Sequence, residues 1–394
     1  MSMIQNVPAL SILLPMFAAI ITSVLKGKKA RYFTYALVAI EVALSVGLLV
    51  YLMGEGDAYV YVMGQFPAPW GNELRAGRLE AGIATLFSVI TILSVVGGTE
   101  ELRTELRPGR ENLYYIMIDL TLTANIALVY TNDLFTGYVF IEINTIAACG
   151  LIMSKNKDTN IICAIRYMVM SLVGSGMILL GISFTYNITG HLLMQPLQQA
   201  VGDIMVGKGY ITPMVVALAL MAIGLSIKCA LWPFHTWLPT TYAYGTPASS
   251  AILSSVVSKG YIILLIKIII RIFGLETLVQ TNIHYILFAL GIVGMIWGSI
   301  KAIRMKSLRR MIAFSSIAQI GYIFMGIGLG SFEGLIAAIF HVFAHAVTKS
   351  MLFICCGTFI EDAGNKEQLE NLKGTARKNP LAGIAFTIGA LSMI

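Results

Sequence analysis

The chain has 394 residues, of which 57% are hydrophobic and only 12% charged, with a formal net charge of +7. A soluble protein of this size carries about 25% charge, so composition excludes an ordinary soluble domain, and the basic excess does not point to nucleic acid. The hydrophobic residues fall in blocks of roughly twenty, the length needed to span a bilayer core. The chain reads as an all-α, polytopic transmembrane helix bundle.

The first apolar block, 8–25, has no cleavage-like ending and reads as a membrane span rather than a removed signal peptide. Further spans follow at 32–53, 79–98, 112–130, 132–153 and 161–186. A seventh covers 212–244 and is broken; then come 247–273, 283–303, 308–330 and 332–358. A twelfth begins near Pro380 and is still apolar at Ile394. A half-crossed helix would leave backbone groups unpaired in lipid, so the sequence reads as truncated at this end.

Basic residues alternate from loop to loop. Those after odd-numbered spans are Lys26, Lys28, Lys29 and Arg31, then Arg103, Arg107 and Arg110, then Lys155, Lys157 and Arg166. Lys301, Arg304, Lys306, Arg309 and Arg310 follow, and finally Lys366, Lys373, Arg377 and Lys378. Loops after even-numbered spans carry Arg75, Arg78 and Lys208. By the positive-inside rule the N-terminus is expected outside a cell (inner, cytoplasmic) membrane. A missed span would scramble this alternation.

Cys149, Cys163, Cys229, Cys355 and Cys356 lie in or beside spans without C-x-x-C spacing, and read as small apolar core residues. There is no G-x-G-x-x-G or P-loop pattern. No cofactor and no metal site is expected.

The informative residues are those that do not belong in lipid. An ionisable group at mid-membrane costs about 2.5–3.5 kcal/mol on insertion scales and usually lines a pathway or finds a partner. Glu142 sits halfway along LFTGYVFIEINTIAACG, Lys228 near the middle of the broken span, and Lys259 halfway along the eighth. His341, His345 and Lys349 form an i, i+4, i+8 row in HVFAHAVTKSMLF, which climbs about 12 Å of one helix face. Plainer readings stand beside these. The histidines could be packing residues, or an i, i+4 haem or metal pair, although no second ligand cluster accompanies them. Glu142, Lys228 and Lys259 could be structural ion pairs. Glu41 and Asp119 are intramembrane acids with no evident partner. Lys267 and Arg271 lie near a helix end and are expected to snorkel.

Pro233 and Pro239, with His235 between them, mark the break in the seventh span. A proline inside a helix removes a backbone hydrogen bond and clashes with the carbonyl four residues earlier, which for Pro233 is that of Cys229, next to Lys228. Freed carbonyls and the polar segment HTWLPTTYAYGT can hold water, and broken helices at the midplane recur in transporters. Burial favours a neutral lysine and a nearby carboxylate a charged one. A Lys228 that alternately meets and loses Glu142 would take up and release a proton.

The segments TNDLFTGYVFIEINTIAA, IKCALWPFHTWLPTTYAYGTPASSAILSSVVSKGYIILL and FHVFAHAVTKSMLFICCG resemble the antiporter-like subunits of respiratory complex I. They are closer still to the large membrane subunits of Mrp-type sodium/proton antiporters and membrane-bound hydrogenases, and the resemblance covers nearly the whole chain. It implies inverted five-helix repeats: an N-terminal unit of three helices over 1–111, a first antiporter repeat over 112–273 and an incomplete second over 274–394. It also implies that Glu142 is the fifth-helix glutamate, Lys228 the lysine of the broken seventh helix and Lys259 the eighth-helix lysine. His341, His345 and Lys349 would be connecting residues of the eleventh helix, leading toward a second broken helix. WLPTTYAY departs from many complex I relatives, which have an acid and a histidine after the proline, and so leans toward the Mrp or hydrogenase branch.

The expected function is a proton-translocating, cation/proton antiporter-like subunit of a multisubunit complex. Its partners would be other membrane subunits, the lipid bilayer and protons, with sodium coupling left open and redox chemistry left to those partners. It would not be catalytic alone, and residues 1–394 alone are expected to transport nothing. The competing readings are a self-contained secondary transporter of an organic solute, which would need a binding pocket and two matched repeats, and a haem-bearing electron carrier.

Overall fold

The computed structural model describes residues 3–55, 57–66, 71–106, 109, 111–155, 157–207 and 209–393. Arg107, Arg110 and Lys208 of the loop-charge pattern lie outside the described residues. The N-terminal unit comprises α1 (Val7–Val24), α2 (Lys28–Glu55), the hairpin β1 (Tyr59–Val62) and β2 (Glu73–Ala76), α3 (Arg78–Gly97) and the short α4 (Thr99–Glu105). The middle of the chain forms α5 (Glu111–Tyr130), α6 (Leu134–Met153), α7 (Asp158–Thr189), α8 (Met194–Gly207) and α9 (Ile211–Lys228). Beyond them come α10 (Leu238–Tyr244), α11 (Pro247–Ile252), α12 (Ser258–Ile268), α13 (Leu275–Gln280), α14 (Ile283–Ile303), α15 (Leu308–Gly328) and α16 (Phe332–Asp362). Two further helices, α17 (Thr375–Lys378) and α18 (Pro380–Leu391), complete the order.

Among the described residues, 10 helices are long and apolar enough to cross a membrane. The eighth expected span is not one of them because π-helical turns at Leu253–Val257 and Ile269–Phe273 divide it. Its axis nevertheless continues from α11 through α12. The seventh span is interrupted outright. α9 stops at Lys228, Ala230 takes a left-handed backbone (φ 59), and a 3₁₀ turn at Phe234–Trp237 leads into α10. Pro233 lies in this gap, and Pro239 sits in the first turn of α10, where a missing N–H costs nothing.

Loop contacts divide the bundle into two faces. On one, Leu106 bridges to Lys155 and Ser307 to Gln368, and Arg309 donates to the carbonyl of Gly245 at 3.1 Å. On the other, Leu74 bridges to Thr131 and Asp133 to Leu193. The first set joins loops that follow odd-numbered spans and the second joins loops that follow even-numbered ones, as an unbroken up-and-down order requires.

Lys267 and Arg271 do not snorkel. Lys267 is buried and donates to the carbonyls of Val129 (2.7 Å) and Thr131 (2.5 Å), the unpaired C-terminal groups of α5. Arg271 pairs with Glu80, which also holds Arg75 at 3.3 Å. The cationic heads therefore tie the eighth span to α5 and, through Glu80 of α3, to the hairpin. All five cysteines are buried and unpaired with one another, in keeping with a packing role.

Candidate ion-translocation site

α7 and α9 approach closely enough to set Lys228 against α6. A Cβ on Gly174 would lie 2.8 Å from the carbonyl oxygen of Gly224 and 3.2 Å from Cγ of Lys228, and one on Gly224 would lie 2.6 Å from the Gly174 oxygen. Small residues of this kind let membrane helices meet backbone to backbone. Lys228, 1% exposed at the last turn of α9, donates to Oγ1 of Thr145 at 2.8 Å. Its ammonium also lies 5.5 Å from the ring centroid of Tyr261, within cation–π range.

Thr145 is three residues beyond Glu142 and shares its face of α6. Among the described residues no ion pair joins Glu142 to Lys228; the glutamate is half-buried and its Oε1 has no hydrogen-bond partner. The hydroxyl of Thr145 thus stands where the sequence reading puts the carboxylate itself. A second feature absent from that reading is the buried amide pair Asn125 and Asn144, whose side chains exchange hydrogen bonds of 3.1 and 3.3 Å between α5 and α6. Asn125 packs on Gly260, the residue after Lys259.

Lys259 is fully buried. Its Nζ donates to the Ser254 carbonyl at 2.5 Å and approaches the Ser258 hydroxyl at 3.2 Å. Ser254 belongs to the π-helical turn Leu253–Val257, and such turns often accompany functional sites. The same carbonyl accepts from the Ser258 hydroxyl at 2.9 Å. Polar side chains continue toward the N-terminus of this span, where Thr246 caps α11 and donates to Ser249 at 2.7 Å. Just beyond, on the basic face, opens a cavity of about 550 Å3 whose lining includes Glu105, Lys155, Tyr244, Arg309 and Glu367.

On α16, Lys349 is fully buried; it donates to the Ile312 carbonyl of α15 at 3.1 Å and to the Ser315 hydroxyl. His345 is 2% exposed and both its ring nitrogens lack a partner. The His341 ring stacks 6.1 Å from that of His345 and 5.8 Å from Tyr322. His341 is half-buried, and its Nε2 is also without a partner. His235, half-buried in the gap between α9 and α10, has an unpartnered Nδ1. Among the described residues no cluster of three or more histidine, cysteine or acidic side chains is arranged to hold a metal.

The sequence marks the titratable residues but not the groups that hold them. Thr145 carries a signal, because it lies one turn from Glu142. Ser254, Ile312 and Ser315 carry none: their roles follow from where a π-helical turn falls and from how α15 meets α16.

A bundle of long apolar helices, one of them broken beside a buried lysine, with further lysines and a histidine buried inside it, defines a multi-pass membrane protein with titratable side chains in its interior. Residues 131–394 match the family described as NADH:quinone oxidoreductase/Mrp antiporter, TM, and the chain belongs to that family. It is 31% identical over 396 residues to an NADH-quinone oxidoreductase subunit N of Desulforudis audaxviator, spanning 100% of this chain and 77% of the relative. It is 30% identical over 391 residues to a putative antiporter subunit mnhD2 of Staphylococcus aureus, spanning 98% and 75%. Among solved structures, a chain of the membrane-bound sulfane sulfur reductase, an archaeal respiratory membrane complex, superposes with a TM-score of 0.89 at 25% identity, covering 98% of this chain and 77% of that one. A chain of the Mrp complex from Dietzia sp. superposes at 0.87 with 24% identity, covering 100% and 71%. Relatives from the oxidoreductase and antiporter branches match almost equally well, so identity does not reproduce the lean toward one branch that WLPTTYAY suggests.

Proposed function

We propose that this chain is the proton-translocating membrane subunit of a multisubunit complex, in which Lys228 exchanges protons with Glu142 across Thr145. Protons would arrive from the basic face, at the cavity beside Glu105 and Lys155, and pass the hydroxyls of Thr246, Ser249, Ser254 and Ser258 to Lys259. From Lys259 they would reach Lys228 on one side and His345, His341 and Lys349 on the other. In this reading residues 112–273 form one antiporter repeat, 274–394 contribute to a second, and the basic face is cytoplasmic, with the N-terminus outside the cell membrane.

The observation that carries the proposal is the state of the three buried lysines placed on the path, Lys228, Lys259 and Lys349. None has an acidic partner among the described residues; each is held by hydroxyls or backbone carbonyls. Such bonds hold an ammonium without locking it as an acid partner would, which suits groups that must lose and regain a proton. Buried histidine nitrogens without partners fit a path completed by water, since buried polar groups are rarely left unsatisfied. A row of titratable groups suits protons better than an organic solute. The partners follow from the relatives, which are named as subunits of larger membrane assemblies.

The test is Glu142→Gln in the assembled complex, reconstituted in liposomes with an internal pH-sensitive dye. Proton-coupled transport is expected to collapse while assembly survives. Transport at the wild-type rate in a well-assembled variant would sink the proposal.

A further inference from the structure

The polar segment HTWLPTTYAYGT marks the broken span in the sequence, and the proton path takes from it only Thr246, with Tyr244 at the cavity mouth. Three of its other polar groups bond to backbone carbonyls. Thr241 donates to the carbonyl of Trp237 at 2.8 Å, Trp237 Nε1 to that of Ile227 at 3.3 Å, and the Tyr242 hydroxyl to that of Leu253 at 3.1 Å. The first bond joins adjoining turns of the segment itself. The other two leave it and end beside lysines: Ile227 precedes Lys228, and Leu253 opens the π-helical turn whose Ser254 carbonyl holds Lys259.

Tyr242 is 1% exposed and lies on the short helix α10. Its hydroxyl and the amide of Ser258 donate to the same carbonyl, that of Leu253, and the amide bond spans the π-helical turn. A carbonyl oxygen accepts two such bonds, so the hydroxyl reinforces the turn from a neighbouring helix. The Tyr242 ring stands edge-on to the indole of Trp237, with centroids 6.4 Å apart, and to the ring of Phe353 at 5.8 Å, an arrangement aromatic pairs prefer. Phe353 lies one turn beyond Lys349 on α16. One side chain thus meets the turn that sets Lys259, the indole that bonds the carbonyl beside Lys228, and the helix that carries Lys349.

We propose that Tyr242 is a positioning residue of the proton path, setting Lys259 through the Leu253 carbonyl and joining it to the break beside Lys228 through Trp237. Tyr242 has this role only if protons take the path proposed above, and it carries none of them itself. Its hydroxyl bond favours the π-helical turn over a regular helical one. Without that bond the turn relaxes, and the Ser254 carbonyl moves off Nζ of Lys259. Its ring holds the Trp237 indole against the break, so the carbonyl that precedes Lys228 stays bonded across the gap.

The experiment compares Tyr242→Phe with Thr241→Val in the assembled complex. Each variant loses one buried hydroxyl bond to a backbone carbonyl, but only the first of these bonds leads to a lysine. Per assembled complex, Tyr242→Phe should lower the maximal rate of proton uptake into liposomes about fivefold, the factor of one typical hydrogen bond. The proton concentration at half-maximal rate should not change, because the cavity mouth is untouched. Hydrogen exchange over residues 253–258, followed by mass spectrometry, should quicken. Thr241→Val should do neither. If Tyr242→Phe does not assemble, Trp237→Phe removes the Nε1–H bond at the other end of the joint and should slow uptake likewise. Wild-type uptake in the Phe variant, with Glu142→Gln inactive, would overturn this inference and leave the relay standing. Wild-type uptake in both would overturn the relay with it. Equal slowing in Thr241→Val would overturn the positioning role, and unchanged exchange over 253–258 the hold on the turn.

Discussion

Lys228 donates its hydrogen bond to Thr145, one helical turn beyond Glu142 on the same face of α6, and not to Glu142 itself. The ammonium is thus held by a hydroxyl one helical turn from the acid. That hydroxyl accepts from the ammonium and gives its own proton to the Ile141 carbonyl at 2.9 Å, so it holds the lysine without bonding to the carboxylate. Among the described residues no ion pair locks Lys228 to Glu142, which is the arrangement that the proposed proton exchange requires.

Replacing Thr145 by Val keeps the shape and removes the hydroxyl. The buried ammonium then loses a bond worth about 1.5–3 kcal/mol, as hydrogen bonds to charged groups are. Proton-coupled transport in proteoliposomes is expected to fall about tenfold or more, and Thr145→Ser should restore most of it. Wild-type flux in the Val variant would show that Lys228 needs no hydroxyl partner.

The long helices were legible because hydrophobic blocks and alternating loop charges are properties of local sequence. The break after Lys228 was legible too, since Pro233 and Pro239 flag it. Other features depend on tertiary packing. The π-helical turn at Leu253–Val257 leaves no composition signal, so the Ser254 carbonyl that holds Lys259 could not be foreseen. Lys267 looked like a snorkelling residue because a sequence shows only its distance from a helix end. Its actual partners, the carbonyls of Val129 and Thr131, are more than a hundred residues away in the chain. The hairpin of β1 and β2 and the helix α8 leave no such signal, because segments between spans that are too short to cross a membrane read simply as loops.

Packing of α7 on α9 should govern the site from a distance. A methyl group at Gly224 would fall 2.6 Å from the Gly174 oxygen and 2.7 Å from Cγ1 of Ile178. Overpacking of this kind costs about 1–3 kcal/mol. Gly224→Ala is expected to lower the unfolding temperature of the purified complex and to slow transport, because Lys228 lies one turn further along the same helix. Gly176→Ala is the control, since nothing lies within 4 Å of its added methyl. Equal behaviour of the two variants would refute the close-approach argument.

Lys259, His341, His345 and Lys349 should not be equally sensitive. Lys259 is fully buried and fixed by Ser254 and Ser258. His341 is half-buried, with a stacked neighbour 6.1 Å away. Water can stand in for one histidine of a row, so His341→Ala and His345→Ala should each slow dye-monitored proton uptake without stopping it. Lys259→Ala should abolish it. A histidine variant more damaging than Lys259→Ala would reverse the proposed order of the path.

Glu80 holds two guanidinium groups, Arg75 from β2 and Arg271 from the end of the eighth span, and so adds a charged fastening of the hairpin to its bridge at Thr131. Its side chain is only 4% exposed, against 34% for Arg75 and 19% for Arg271. Arg75 is wet enough to find water when the carboxylate is neutralised, but Arg271 is not. Glu80→Gln therefore leaves one largely buried cation without its partner, at a cost of about 3 kcal/mol. The expected result is a clear fall in the thermal unfolding temperature, measured by intrinsic fluorescence, and faster proteolysis of the hairpin. Arg75→Gln should do much less, because solvent already screens that pair. If the two variants unfold at the same temperature, the Arg271 contact carries no more of the anchoring than the exposed one.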